Sequence, residues 1–215
     1  MLGLERWVAH FVGLGLRPPE GVHAELCARY GEPHRAYHTL EHLGECLAQL
    51  EEARALAARP HEVALALWFH DAVYDPRASD NEQQSAVWAE RVLLAAGASA
   101  ELAHRVAALV LATKHDAMPE PGDSALLVDV DLSILGAERA RFDAYETQVR
   151  REYEWVPDAA YREGRARVLR SFLERPRIYA TAHFHDRLEA RARDNLRRSL
   201  AALEGSGLPE RVPTA

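Results

Sequence analysis

The sequence contains little cysteine and no apolar run long enough to cross a membrane. Cys27 and Cys46 are the only cysteines among 215 residues, too few and too far apart for a disulfide framework or a cysteine-based zinc site. No apolar stretch approaches the ~20 residues that span a bilayer, and the first residues lack the basic segment and apolar core of an export signal. We therefore expect a cytoplasmic protein with reduced thiols and no membrane partner.

Lysine is almost absent, and positive charge is in deficit overall. The net charge is −7, and only Lys114 among the 26 basic residues is a lysine. A chain with this balance is not typical of proteins that bind a nucleic-acid duplex or an acidic membrane surface. An anionic substrate would have to be attracted locally, by a metal ion and by nearby arginines.

The remaining composition is that of one ordinary globular domain, with 48% hydrophobic and 27% charged residues. Apolar residues recur at spacings of three and four, which predicts an all-α fold. We expect a single helical bundle over residues 1–204, with a metal-binding core at about 30–135 and C-terminal helices at about 137–203. A flexible tail is expected at 205–215.

Proline and glycine mark the limits of the predicted helices. The segment 126–132 alternates like a strand, but it is short and has no convincing partner, so we interpret it as helical. The predicted helices cover residues 3–16, 20–30, about 36–58, 61–71, about 80–96, 101–113, 126–132, 137–152, 158–173 and 178–203.

One apolar helical run, residues 65–71, ends abruptly in His70 and Asp71. Such a run carries its end into the protein interior, where an unpaired charge is costly. Histidine and aspartate are both metal ligands, so a divalent metal ion is the best candidate to compensate that charge. Two histidines upstream and two aspartates downstream are available to complete the site.

The upstream pair is His38 and His42, and the downstream pair is Asp129 and Asp131. Residues four apart share one face of a helix, so one histidine could bind a metal while the other meets a substrate, in either order. Residues two apart on a helix differ by about 200°, so only one aspartate can face the same centre. The other would be a solvated or capping carboxylate.

The segments Tyr37–His42, Phe69–Asp71 and Val130–Ser133 resemble the H…HD…D signature of the HD-domain metal-dependent phosphohydrolases. That superfamily includes cyclic-nucleotide phosphodiesterases and (p)ppGpp hydrolases. The resemblance covers roughly residues 30–135, and the arginine-rich remainder is similar to the C-terminal half of a bacterial HD branch. It implies one general acid and four metal ligands, which are His38 and then His42, His70, Asp71 and Asp131.

The resemblance also implies hydrolysis of a small phosphorylated substrate, with a nucleotide as the expected class. A bound divalent ion lowers the pKa of its water from about 15.7 toward ~7, and His38 would protonate the leaving oxygen. The mixed nitrogen and oxygen ligands favour Mn²⁺, Fe²⁺, Co²⁺, Ni²⁺ or Zn²⁺ over Ca²⁺, with Mg²⁺ as a further option.

Four further residues are candidates for accessory roles. Asp75 stands where the (p)ppGpp hydrolases have the aspartate of a Glu-Asp pair, but Tyr74 replaces the glutamate, which argues against that substrate. Glu82 could orient the attacking water or cap a helix. Lys114 and His115 follow an apolar helix and could contact a substrate phosphate, or belong to a plain connector.

Two other functions remain open from the sequence. One is a non-catalytic regulator that binds a metal or a nucleotide on the same bundle. The other is a di-iron oxygenase of the same superfamily, for which His104 and His115 are the available extra ligands. These two are about 16 Å apart along a continuous helix, whereas paired metal ions lie only ~3.5–4 Å apart, so both cannot serve one centre.

Several residues have a functional and a simpler structural interpretation. Cys46 follows His42 by four residues and could extend the ligand set, but a buried core residue is the simpler interpretation. His185 and Asp186 form a further His-Asp pair that we expect on the surface. Apolar stretches near the termini are compatible with a homodimer. A set of arginines could contact a nucleotide or form a solvated face paired with glutamates, namely Arg162, Arg165, Arg167, Arg170, Arg191 and Arg193.

Overall fold

The computed structural model describes residues 2–205. These residues form ten α-helices and two 3₁₀ turns, and they contain no strand. This confirms the predicted all-α fold. Residues 206–215 of the predicted tail lie outside the described part, and Gly205 is the last residue of a helix. The helices are α1 (Leu4–Gly13), α2 (Val22–Tyr30), α3 (Leu40–Glu52), α4 (Pro60–Phe69), α5 (Asn81–Ala95), α6 (Ala100–Ala112), α7 (Asp123–Asp131), α8 (Arg139–Glu152), α9 (Asp158–Glu174) and α10 (Ala182–Gly205).

Helix α4 is the centre of the core. Every residue from Glu62 to Phe69 is buried, as expected for a helix that is apolar on all sides. Pro60 begins the helix in the first turn, where its missing N–H group has no intrahelical role. Helices α1, α3, α5, α6 and α7 all contact α4. The end of α4 therefore lies deep in the protein, and it delivers His70 to that depth.

Two helices, α3 and α10, begin four residues later than the sequence pattern predicts. Helix α3 begins at Leu40 rather than at about Ala36, because the backbone N–H groups of residues 36–38 donate to the carboxylate of Glu152. Thr39 caps the helix, with its hydroxyl oxygen accepting from the backbone N–H of Glu41. His38 consequently precedes α3, and the prediction that His38 and His42 share one helical face is wrong.

Helix α10 begins at Ala182 rather than at Ile178 for the same reason. Buried Asp129 accepts hydrogen bonds from the backbone N–H groups of residues 180 and 181, and Glu189 accepts those of residues 178 and 179. Of the two downstream aspartates, Asp129 is therefore the one with a capping role.

The C-terminal helices form a layer over one end of the α3, α4 and α7 core. Helix α10 contacts α8, α9 and the 3₁₀ turn Leu132–Gly136 that follows α7. Gly136 allows a close approach there, since a Cβ atom at this position would lie 2.7 Å from Cβ of Leu188. Within the described chain, no helix is both long and apolar enough to cross a bilayer.

Candidate metal centre

Four predicted ligand residues converge where α3, α4 and α7 meet. Nε2 of His42 lies 3.1 Å from Nε2 of His70 and 3.2 Å from Oδ1 of Asp131. Nε2 of His70 lies 3.0 Å from Oδ2 of Asp71, which follows α4 directly. Both imidazoles are 1% exposed. The structure thus brings together all four residues that the resemblance implies as ligands.

A fifth group, Cys46, lies one turn after His42 on α3. Its Sγ is 3.7 Å from Nδ1 of His42 and is buried. One donor atom from each of His42, Cys46, His70 and Asp131 lies within 4.8 Å of the others. Imidazole nitrogen, thiolate sulfur and carboxylate oxygen are all transition-metal donors, so this buried group can hold a metal ion.

The electrostatics of the group favour positive charge at its centre. Burial disfavours a charged imidazole, yet the surrounding thiol, phenol and carboxylates raise the pKa of His42 well above its ordinary value. Burial likewise opposes ionisation of Asp131, but hydrogen bonds from His115 and the two central imidazoles hold its pKa well below the usual range. A cation bound here would satisfy the same carboxylates that attract those protons.

Neighbouring groups orient two of the ligands. Nδ1–H of His70 donates to the carbonyl oxygen of Leu67 at 2.7 Å, which leaves Nε2 as the nitrogen that faces the centre. Oδ2 of Asp131 lies 3.0 Å from Nε2 of His115. His115 has a φ of 58°, a left-handed backbone that a non-glycine residue rarely adopts. The loop after α6 therefore holds His115 against the outer oxygen of a ligand.

His38 lies beside the centre, and its orientation is fixed by Glu152 at the end of α8. Oε2 of Glu152 accepts from Nδ1 of His38 at 2.7 Å and from the hydroxyl of Tyr74 at 2.8 Å. The Tyr74 ring stacks on the His38 ring, with centroids 4.2 Å apart. Burial opposes ionisation of Glu152, but His38 and the backbone N–H groups lower its pKa to about 2. Nε2 is thus the free nitrogen of His38.

Buried Arg35 joins the segment before α3 to the turn after α4. Its guanidinium donates to the carbonyl oxygens of His38 at 3.1 Å, Asp71 at 2.7 Å and Ala72 at 3.1 Å. Because one rigid fork holds both segments, the spacing between His38 and Asp71 is fixed by backbone contacts.

A cleft of about 550 Å³ opens beside the centre and is bordered by Asp71, Asp131 and His38. Aromatic rings from the loop after α4 and from α8 form part of its wall, and the cleft-facing side of α9 forms another part. The size suits a small-molecule ligand.

The predicted accessory residues differ in their relation to this cleft. Glu82, Lys114 and His115 border it, and Nζ of Lys114 lies 3.0 Å from Asp116. Asp75 is exposed and is not among the described residues that border the cleft. Its Oδ1 accepts from the backbone N–H of Arg77 in a turn. The catalytic roles of Asp75 and Glu82, and the substrate contacts of Lys114 and His115, stay predictions.

The remaining histidine candidates lie elsewhere. His104 is exposed, and its Nδ1 donates to the carbonyl oxygen of Ala100. Nδ1 of His185 lies 3.3 Å from Glu189 on α10, and Asp186 is exposed. Of His104, His115 and His185, only His115 contacts a candidate ligand, which is Asp131.

Sequence reasoning missed Glu152, although a signal was present. The buried residues of α8 are Phe142, Tyr145, Val149 and Glu152, at spacings of three, four and three. A carboxylate on an otherwise apolar stripe must find hydrogen-bond donors in the interior. Arg35 gave no comparable signal, because its nearby partners, Glu32 and His38, do not reveal its bonds to the carbonyl oxygens of Asp71 and Ala72.

Comparison of the chain with protein-family models, with curated proteins and with solved structures gave no match.

Proposed function

We propose that the protein is a metal-dependent phosphohydrolase that cleaves a phosphate ester of a small molecule, with a nucleotide as the expected substrate class. The observation that carries this proposal is the convergence of two imidazoles with the carboxylates of Asp71 and Asp131 beside a cleft that His38 also borders. A transition-metal ion, when bound, supplies a Lewis acid for the phosphoryl oxygens and an activated water. His42, His70, Asp71 and Asp131 would hold it.

The chain itself handles the proton. Glu152 accepts from Nδ1 of His38, so the ring keeps one orientation and presents Nε2 to the cleft. A proton on Nε2 can pass to the leaving oxygen, which completes the cleavage of the ester bond. Tyr74 restrains the same ring by stacking and shares its carboxylate partner. This His-Glu arrangement resembles in logic the orienting carboxylate of a catalytic triad.

The cleft also contains cationic side chains near the candidate metal ligands. Lys114 and Arg175 both border it. Their guanidinium and ammonium groups can offset the charge of a phosphate ester within the cleft. The thiol of Cys46 beside the ligands favours Zn²⁺, Fe²⁺ or Co²⁺ over Mg²⁺.

One contact favours a second candidate function, that of a di-iron oxygenase. Oδ1 of Asp131 faces the central imidazoles while Oδ2 faces His115, so the carboxylate has a nitrogen donor on each side. Asp131 and His115 would help to hold a second iron, and a di-iron centre would supply redox chemistry. Metal stoichiometry separates the candidates, since the oxygenase requires two irons per chain.

The test combines metal analysis of the purified protein with phosphate release. An aryl phosphate and a panel of nucleotides are assayed after reconstitution with Mn²⁺, Ni²⁺, Fe²⁺ or Zn²⁺. Asp71→Ala is expected to lose the metal and to lower turnover by at least about a hundredfold. Asp186→Ala, which removes the exposed aspartate of the other His-Asp pair, is the matched control and should retain both. Metal without turnover of any phosphate ester would refute the hydrolase.

A further inference from the structure

Arg165 on α9 differs from the other arginines of the C-terminal half. Its side chain is only 10% exposed and borders the cleft, whereas Arg167 on the same helix is 67% exposed and pairs with Glu163. The sequence pattern left these arginines as one group that could contact a nucleotide or form a solvated face. The structure separates Arg165 from that face, because α9 turns it toward the interior.

The hydrogen bonds of Arg165 are incomplete. Nη2 donates to the hydroxyl of Tyr145 at 2.7 Å and to the carboxylate of Glu146. Nε is buried and has no hydrogen-bond partner among the described residues. A guanidinium carries five N–H donors, and a buried donor without an acceptor is costly. Because Arg165 borders the cleft, an anionic group bound there can accept from the part of its guanidinium that is not buried.

Two aromatic rings separate Arg165 from the metal ligands. Cζ of Arg165 is 5.1 Å from the Tyr145 ring centroid, and that ring is 4.6 Å from the Tyr37 ring. The Tyr37 ring is in turn 4.6 Å from the His42 ring. Arg165 therefore borders the same cleft as Asp71 and Asp131, and two packed rings separate its guanidinium from His42.

Part of the cleft wall along α9 is apolar. Val168 and Phe172 follow Arg165 by three and seven residues, so the three side chains share one face of α9 along the cleft. A substrate that reaches from the metal centre to Arg165 would lay a carbon skeleton along this face.

From these contacts we infer that Arg165 binds a second anionic group of the substrate. The substrate class is then a phosphate ester that carries a further phosphate or carboxylate, separated from the scissile phosphoryl group by an apolar spacer. This inference rests on the proposed function for the position of the first phosphate. Arg165 is a binding residue for specificity and takes no part in the proton transfer by His38.

Binding calorimetry tests the inference without requiring turnover. The probes are hexyl and decyl phosphate, their counterparts with a terminal carboxylate, and the corresponding terminal bisphosphates. Wild type is expected to prefer a doubly anionic probe over the simple alkyl phosphate of the same length by about tenfold to a hundredfold. Arg165→Gln should abolish that preference and leave the affinity for the alkyl phosphate within about twofold. Arg167→Gln, which removes the same charge from the exposed face of α9, should retain it.

Equal affinity of wild type for both kinds of probe would overturn the inference, as would equal behaviour of the two glutamine variants. If only the bisphosphates are preferred, Arg165 binds a phosphate group of the substrate. If the probes with a terminal carboxylate are preferred as well, Arg165 accepts either anionic group. Hydrolysis of an aryl phosphate is scored separately. If the protein hydrolyses the aryl phosphate but binds both kinds of probe equally, only the proposed role of Arg165 is refuted. If it prefers the doubly anionic probes but hydrolyses no phosphate ester, only the proposed phosphohydrolase function is refuted.

Glu146→Gln provides a second variant in case Arg165→Gln unfolds. It removes the carboxylate that competes for the guanidinium and leaves Arg165 in place. The doubly anionic probes should bind several-fold more tightly to this variant, while the alkyl phosphates should not change. A purely structural Arg165 predicts no such gain, so an unchanged preference would count against the inference.

Discussion

Two pairs of histidines contact each other in this protein at nearly the same distance and in opposite surroundings. Nε2 of His42 lies 3.1 Å from Nε2 of His70 in the centre, and Nδ1 of His10 lies 3.3 Å from Nδ1 of His61 between α1 and α4. Carboxylates adjoin the central pair and raise its pKa values despite burial. Burial, His61 and nearby arginines lower the pKa of His10 to about 4.

The difference shows that two facing imidazoles do not by themselves make a cation site. The charges of the neighbouring side chains decide whether a buried pair attracts a positive ion or repels one. Around the centre that charge is negative and comes from Asp71 and Asp131. Around the outer pair, His10 and His61, that charge is positive: burial and Arg54 lower the pKa of both rings, and Arg6 also lowers that of His10.

The largest expected effect separates the two pairs by metal affinity. His42→Ala removes a candidate ligand and should weaken Zn²⁺ binding by more than about a hundredfold. This loss is larger than that expected when a residue that only hydrogen-bonds a ligand is removed. His10→Ala removes the same group from the outer pair and should leave affinity within about twofold. Competition with a chromogenic chelator measures both. Comparable losses in the two variants would break the distinction.

The next largest effect concerns Glu152, whose carboxylate contacts His38 but is not a candidate metal ligand. Glu152→Ala leaves three backbone N–H groups, His38 and Tyr74 without their acceptor. We expect the free energy of unfolding to fall by about 3–5 kcal/mol, as for a broken buried charge network. Urea denaturation at neutral pH measures this loss. A loss below about 1 kcal/mol would mean that water replaces the carboxylate.

The lowered pKa of Glu152 predicts that the free energy of unfolding falls at acid pH, which is the acid limb of the stability curve. The pKa of Glu152 in the folded protein is about 2, below its ordinary value of 4.5. The unfolded chain therefore binds the proton first, so this contribution is complete above pH 4.5 and is lost as the pH falls toward 2. About 3 kcal/mol is at stake for a shift of this size. Glu152→Gln should flatten the limb in a series of denaturation curves.

The outer pair predicts a smaller effect at higher pH. Because the pKa of His10 falls from 6.5 to about 4 on folding, the unfolded chain binds more protons between these values. The free energy of unfolding should rise between pH 4 and 6.5, by about 1 kcal/mol after allowance for partial exposure. His10→Gln should remove that rise. A rise of the same size in His10→Gln would assign it to other groups.

The smallest effect tests whether the outer contact matters at all. A Cβ atom at Gly13 would lie 2.3 Å from Nε2 of His61, so Gly13→Ala must displace that ring. The higher helix propensity of alanine, about 0.8 kcal/mol, offsets much of the cost. We expect a melting temperature within a few degrees of wild type and an upward shift of the His10 pKa, followed by NMR. An unchanged His10 pKa would show that burial and arginines alone lower it.

The sequence predicted the parts of this molecule that depend on local pattern. The apolar run of α4 and its terminal His70 and Asp71 could be located because a continuous apolar stretch must be buried. The helix starts near residues 36 and 178 could not, because carboxylates of Glu152, Asp129 and Glu189 capture the N–H groups that would have begun those helices.

The candidate site divides in the same way. Its four ligands were predicted from their resemblance to a known spacing. Glu152 contacts His38 across 114 residues, and Arg35 contacts Asp71 across 36, separations at which periodicity carries no information. Cys46 was noticed but could not be distinguished from a core residue, because a ligand and a core residue are equally buried.

Arg35 has a further consequence for how the site comes apart. Since one guanidinium is bonded to the carbonyl oxygens of both His38 and Asp71, neither segment can open without breaking the bonds of the other. His38 and Asp71 therefore belong to one cooperative unit, and their neighbouring amides should exchange hydrogen at a common rate. We expect the two segments to open together, with no state in which one is in place and the other is not.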